Sequence, residues 1–273
     1  MTIITNRFSD RVDNYVKYRP HYPAEVIDFL SRRDAFGKNE KIISENSVIA
    51  DIGSGTGISA ELFLKNNYKV FGVEPNESMR HAAENILQNY ADKNLFISID
   101  GKAEETGLEN NCVDVIVCAQ AFHWFNNDAF KNECKRILKP KGKIVLMWND
   151  RRTDTTDFLK VYEDFLQMFG TDYKEINHKN TQEKAQFDNF FGANNYKEQS
   201  FYNYQDVDFA GLKGRVLSSS YMPNEEHKDF DFMIYCLKKI FTRYQENNLV
   251  RLDYDTKIYY TSTTLSTSGM NHK

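Results

Sequence analysis

The chain has 273 residues, 41% of them hydrophobic and 27% charged, the profile of a soluble globular protein with enough apolar material for a full core. A formal net charge of −4 argues against a general attraction to nucleic acid, which draws on a basic excess. No stretch approaches the roughly 18 apolar residues of a membrane span, and Met1 to Asp10 contains no apolar run of signal-peptide length. The expected address is the cytoplasm, with no membrane partner.

In chain order, a polar lead-in spotted with aromatics ends at Tyr18-Arg-Pro-His-Tyr-Pro23, where two prolines stop any helix before them. Residues 24–34 place Val26, Ile27, Phe29 and Leu30 among charges, predicting a short amphipathic helix. Strands are predicted at 47–52, 69–74, 95–99, 113–118 and 143–148, with helices at 58–66, 76–90 and 128–138 and a turn at Pro140 to Lys143. Asn76 is the expected cap of the second of these helices. Near-continuous apolar strands alternating with helices indicate an α/β fold, a doubly wound, mostly parallel sheet covered on both faces.

Beyond residue 150 the chain becomes rich in aromatics. Phe158, Tyr162, Phe165 and Phe169 recur at helical spacing, as do Phe232, Tyr235, Ile240 and Phe241 less regularly. These stripes read as helix cores, with the lining of a substrate cavity as the alternative. Late strands are expected at 195–205 and 254–261, a helix carrying Arg215 follows residue 208, and a polar tail from Thr261 to Lys273 is expected to fray. Cys112, Cys118, Cys134 and Cys236 lack CxxC spacing and nearby histidines; they read as reduced packing residues, and no metal is expected.

The segment Ile49-Ala-Asp-Ile-Gly-Ser-Gly-Thr-Gly-Ile58 carries the most chemistry. Gly53, Gly55 and Gly57 let the backbone turn tightly against a ligand, and Glu74, at the end of the next strand, is placed to accept hydrogen bonds from a ribose diol. Asp51 would repel a pyrophosphate and attract an ammonium group. The helix-side glycine of a dinucleotide-binding loop is replaced by Ile58. A nucleoside with an amino-acid tail fits this pattern better than a diphosphate, and S-adenosylmethionine is the common molecule of that description.

With these residues in view, the chain resembles the class I S-adenosylmethionine-dependent methyltransferases over residues 1–150. Asp51-Ile-Gly-Ser-Gly-Thr-Gly57 corresponds to the family's glycine motif and Glu74 to its ribose-binding acid. Gly101-Lys-Ala-Glu104 sits at its adenine-contacting turn, and Gln120-Ala-Phe-His-Trp124 follows the fourth strand. Tyr18-Arg-Pro-His-Tyr-Pro23 together with Ala119-Gln-Ala-Phe-His-Trp-Phe125 is more specifically similar to the type-11 branch that includes trans-aconitate methyltransferase-like enzymes. The resemblance implies a seven-stranded sheet whose last strand is antiparallel and inserted beside the fifth. It implies one methyltransferase domain over 1–273: a lid and helix at 1–35, a cofactor core at 36–150, a substrate-side helical elaboration at 151–250, and the last strand and tail at 251–273. Lys102 departs from the Asp or Ser common in relatives, which leaves the adenine contact to Glu104 or the backbone at Ala103.

The candidate cofactor residues are therefore Asp51, Gly53, Ser54, Gly55, Thr56, Gly57, Glu74, Pro75, Asn76, Met79, Ala103, Glu104, Gln120 and Ala121. Each has a plainer alternative: loop hydrogen bonding for Asp51, a helix-end charge for Glu74, capping and packing for Asn76 and Met79. Tyr15, Arg19, Tyr22, Trp124 and Arg215 are the substrate-side candidates, with Arg19 and Arg215 able to pair with a carboxylate. Arg19 pinned to a surface acid is the competing reading. A carboxylate acceptor needs no general base, whereas a phenol or amine would use one, and His123 is the histidine placed for it. The acceptor is expected to be a small molecule, since the Asn/Asp-Pro-Pro-aromatic signature of base methylation and a Pro-Cys nucleophile are both missing. A non-catalytic cofactor-binding protein and a nicotinamide oxidoreductase are the alternatives, the latter disfavoured by Asp51 and Ile58. Oligomeric state is not legible in the sequence.

Overall fold

The computed structural model describes residues 12–32, 41–171, 173 and 183–261; of the tail expected to fray from Thr261 onward, Thr261 ends the last strand and the rest lies outside the described residues. Seven strands form one sheet: β1 Val48–Ile52, β2 Lys69–Val73, β3 Phe96–Ile99, β4 Val113–Ala119, β5 Leu138–Arg151, β6 Tyr196–Val207 and β7 Val250–Thr261, in the order β3-β2-β1-β4-β5-β7-β6. The pairs β1–β2, β1–β4, β2–β3 and β4–β5 are parallel. β7 runs the other way. The Arg152 amide bonds the Asp253 carbonyl, Thr256 reaches Asn149, and Thr261 reaches the Ile144 amide, so partner numbers rise as β5 numbers fall. This is the reversed strand beside the fifth that the sequence led us to expect.

The chain divides into two compact units. One comprises 22–148, 184–201 and 257–273; the other comprises 1–21, 149–183 and 202–256.

In the first unit, adjacent strand residues point to opposite faces. Ile49, Val115, Val117, Val145 and Met147 join one buried cluster, while Ala50, Ile116, Cys118, Ile144, Leu146 and Trp148 join another. Both faces are therefore dry. Its helices are α2 Glu25–Ser31, α3 Ile58–Leu64, α4 Glu77–Ile86, α5 Gln88–Ala91, α6 Asn127–Ile137 and α8 Glu183–Phe191, and α8 was not foreseen. The helix predicted at 76–90 breaks at Leu87, whose φ of −98° and ψ of 12° leave the helical region. The Asn76 side chain caps α4 by accepting from the Met79 amide at 3.1 Å. The turn predicted at 140–143 survives as a bulge inside β5: Val113 pairs with Leu138 and Val115 with Lys143, and Lys141 between them has φ of 70°.

The second unit holds α1 Val12–Tyr18, α7 Asp157–Phe169, α9 Phe209–Leu217 and α10 Phe230–Tyr244. Its core gathers Phe158, Tyr162, Phe165, Leu212, Met233, Leu237, Phe241 and Tyr254. The α7 stripe is core, as its spacing suggested. The α10 stripe is only half core: Phe241 is buried and Ile240 packs against the cluster, but Phe232 and Tyr235 are 59% and 58% exposed. The buried face is Met233, Leu237 and Phe241, the true i, i+4, i+8 row. α1 was also unforeseen, because about two turns of mixed polarity carry little periodicity. β7 starts at Val250, four residues ahead of the predicted boundary.

Candidate functional site

In open α/β sheets a ligand crevice forms where strand order reverses, beyond the strands' carboxyl ends. Here that point is β1, flanked by β2 and β4. The Gly53 amide bonds the Val73 carbonyl at 2.8 Å, folding the loop after β1 over the end of β2. Gly53, Gly55 and Gly57 all have positive φ, at 71°, 54° and 87°, values costly for any residue with a Cβ. Space separates their roles. A Cβ on Gly53 would lie 2.6 Å from the Ala121 methyl and one on Gly57 2.6 Å from Leu87, whereas at Gly55 the nearest atom is the Met79 sulfur at 3.7 Å. Gly53 and Gly57 serve packing, and Gly55 faces room.

Asp51, one residue before the end of β1, has no exposed surface. Its Oδ2 accepts from the Ser59 hydroxyl at 2.6 Å, while Oδ1 is buried with no hydrogen-bond partner. Burial, with the nearby Glu74 charge, pushes its pKa up to about 7; the Ser59 hydroxyl and the Ala60 amide pull the other way without offsetting it. Glu74 accepts from the Gly55 amide at 3.0 Å and the Asn76 amide at 2.8 Å. Burial raises its pKa too, against the pull of those two amides and of Arg80. Arg80 also bonds the Glu74 carbonyl at 2.9 Å and pairs with Asp100. The Thr56 hydroxyl is a second buried polar atom without a partner. Two neighbouring acids under one glycine loop, one with an orphaned oxygen, call for a ligand that brings donors and positive charge.

The rest of the predicted cofactor set lies in the same unit. Ser54, Asn76 and Met79 are buried and Pro75 is half-buried. Ala103 is buried in a turn closed by the Lys102 and Glu105 backbones, and a Cβ at Gly101 would meet the Thr106 carbonyl at 2.6 Å. The Glu104 carboxylate accepts from the Asn126 amide at 2.7 Å, ahead of α6, so it has a structural task beside any adenine contact. Gln120 has φ of 55° and bonds the Met147 carbonyl through its amide, which turns the chain so that Ala121 abuts Gly53. A 3₁₀ turn, Phe122–Trp124, follows. It leaves His123 exposed with its ring 4.6 Å from that of Trp124.

The substrate-side candidates separate. Tyr22 packs against a core cluster of the first unit, and Trp124 belongs to that unit too. Tyr15, Arg19 and Arg215 belong to the second unit, where the Arg19 guanidinium lies 4.7 Å from the Tyr15 ring centre and bonds the Ser218 carbonyl at 2.8 Å. Among the described residues no acid pairs with Arg19, so the surface-acid reading is set aside. Sequence reasoning missed Ser59 and Arg80; each stands on a helix where spacing shows amphipathicity but not which polar group turns inward, and Thr56, a predicted loop residue, was not foreseen as an orphaned donor. Cys118 and Cys134 are buried, and burial holds both thiols well above their ordinary pKa.

Residues 50–146 match the family model described as a methyltransferase domain. An uncharacterized methyltransferase-like protein of Schizosaccharomyces pombe is 31% identical over 170 residues, 60% of this chain and 59% of that protein. An uncharacterized methyltransferase of Mycobacterium bovis is 31% identical over 144 residues, 53% of this chain and 52% of that protein. The chain thus spans between half and three fifths of the length of these two relatives. A structure described as a type II methyltransferase from Anaeromyxobacter dehalogenans superposes with a TM-score of 0.59 at 16% identity, covering 89% of this chain and 97% of that one, a likeness of fold.

Proposed function

From the match of residues 50–146 to the methyltransferase-domain model, we propose an S-adenosylmethionine-dependent enzyme that methylates a small-molecule acceptor on a carboxylate or hydroxyl. The observation that carries the reading is the buried, unpartnered Oδ1 of Asp51 beside a Glu74 carboxylate already anchored to the glycine loop. An amino-acid ammonium supplies what Asp51 lacks. A ribose diol supplies donors to the lone pairs that Glu74 has left after its two amide bonds. A diphosphate would bring negative charge to two buried acids.

Asp51 and Gly53–Gly57 would hold the tail, Glu74 the ribose, and Pro75, Asn76, Met79, Ala103 and Glu104 the adenine side, with Gln120 and Ala121 closing the loop's far wall. When bound, the cofactor supplies a methyl group already activated by a positive sulfur, which an acceptor oxygen takes as the carbon–sulfur bond breaks and the pair stays on sulfur. The protein's task is then alignment and exclusion of water. A carboxylate oxygen needs no proton removed. A hydroxyl does, and His123 would be the base for it. We read the acceptor as neither nucleic acid nor membrane-bound, and the working site as cytoplasmic.

Calorimetric titration with S-adenosylhomocysteine, which has the same tail and sugar, tests the cofactor, with a nicotinamide dinucleotide as control. Binding of the first and not the second is expected; the reverse would overturn the reading. Transfer of label from methyl-labelled cofactor into a metabolite extract tests catalysis. Binding without any labelled product would point to a cofactor-binding protein instead.

A further inference from the structure

Among the described residues, the second unit contains two guanidinium groups that no acid neutralises. Arg151, Arg152 and Arg251 of this unit each pair with an acid: Glu163, Asp255 and Asp206 respectively. Arg19 and Arg215 do not. Both converge on Ser218, Arg19 through its carbonyl at 2.8 Å and Arg215 through its hydroxyl at 3.4 Å. The remaining bonds of Arg215, to the Tyr254 hydroxyl at 3.4 Å and the Ser219 hydroxyl at 3.3 Å, are long and weak. Arg19 Nε is shut away from solvent with no acceptor. Burial and the Arg215 charge together pull the Arg19 pKa down. Neighbouring Tyr162 gives no counter-charge, since burial holds its phenol well above the ordinary value.

The juxtaposition is built in. Gly214 of α9 lies against the Tyr18 ring so closely that a Cβ there would fall 2.0 Å from ring carbons. Without a side chain at that position, α1 sits down on α9. Arg19, one residue past α1, then meets Arg215 and the Ser218 that ends α9. Two like charges brought together at the cost of their own hydrogen bonding destabilise a fold unless something anionic joins them. Guanidinium forks match planar or tetrahedral oxyanions in two-point contacts, and hydroxyls complete such a shell.

We propose that Arg19 and Arg215, with the hydroxyls of Tyr254 and Ser219, form a binding site for a compact oxyanion, a carboxylate or phosphate group on a small ligand. The proposal rests on the methyl-transfer reading only in naming that ligand as the acceptor; the site itself stands apart from it.

The test uses the full chain without cofactor, at ionic strength fixed with sodium chloride. Thermal melting and calorimetry are followed against succinate, inorganic phosphate and, as a neutral control, dimethyl succinate. Saturable binding of succinate or phosphate, with none of the diester, is expected, and which anion binds identifies the source of the group. Arg19→Gln and Arg215→Gln should each weaken that binding at least tenfold and raise, not lower, the melting temperature of the anion-free protein. Arg215→Lys should retain part of the affinity. Failure of every anion to bind wild type, or unchanged affinity in both glutamine variants, overturns the proposal, and the wild-type arm decides even where a variant does not fold. Absence of S-adenosylhomocysteine binding in a separate titration would instead count against the cofactor reading and leave this site untouched.

Discussion

Replacing Asp51 with Asn separates a carboxylate kept for a ligand from one kept for the fold. Burial moves this group from the ordinary carboxylate range to about 7. Since the folded value lies above the unfolded one, folding favours the protonated form; the fold loses stability as pH rises from near 4 to about 7 and stays at its lowest above that. About three units at ~1.4 kcal/mol each makes the ionised carboxylate a cost of about 4 kcal/mol at pH 8. Asp51→Asn removes that cost and keeps an acceptor for the Ser59 hydroxyl, so the ligand-free variant should melt higher than wild type at pH 8 and equal to it at pH 4. Affinity for a ligand with an ammonium tail should move the other way, falling by about 10- to 100-fold for loss of a charged hydrogen bond worth roughly 1.5–3 kcal/mol. In wild type the same affinity should drop about tenfold per pH unit below 7, because Asp51 must first ionise. The assay is calorimetry of S-adenosylhomocysteine against methylthioadenosine, which lacks the tail and should ignore both the substitution and pH. Equal affinities for wild type and variant, with flat binding from pH 5 to 8, would refute the ammonium assignment.

Gly53→Ala, at positive φ and facing the Ala121 methyl at 2.6 Å, should destabilise the fold by more than the ~1 kcal/mol of backbone strain alone. Gly55→Ala should cost about that strain and no more, yet abolish detectable cofactor binding; melting curves and titration of the two variants separate these effects. Glu133 is pushed down to about 2, where bonds from Arg136 and from the Thr106 amide and hydroxyl outweigh its burial. Its contribution, of order 2–3 kcal/mol, is present above pH ~4.5 and lost as pH falls towards 2; Glu133→Gln should flatten acid melting across that window. Glu163, bonded by Arg151, Gln167 and Tyr173, anchors the second unit, and Glu163→Leu should lower stability by about 3 kcal/mol or more by stranding Arg151, read by urea denaturation.

The strands at Ile49, Phe71 and Val115 were legible because a strand buried on both faces is nearly continuous in apolar residues, and few other structures are. The glycine loop was legible because positive φ at three alternate positions leaves little choice of residue. Asn76 announced its helix by being the right cap in the right place. These are local constraints, written into a few consecutive residues. The division of labour among the glycines was not legible, since it depends on Ala121 and Leu87, distant in sequence. Nor was the inward face of α10, where large exposed aromatics mimic a core stripe and packing against α7 and α9 decides which side is dry. Arg19 and Arg215 could each be picked out as cations, but their meeting, with no acid beside them among the described residues, exists only after Gly214 lets two helices meet. Sequence alone determined the order of elements and the chemistry of the first loop, because backbone geometry and hydrophobic period act over neighbours. Tertiary structure decided which polar groups are left without partners, because that depends on everything packed around them.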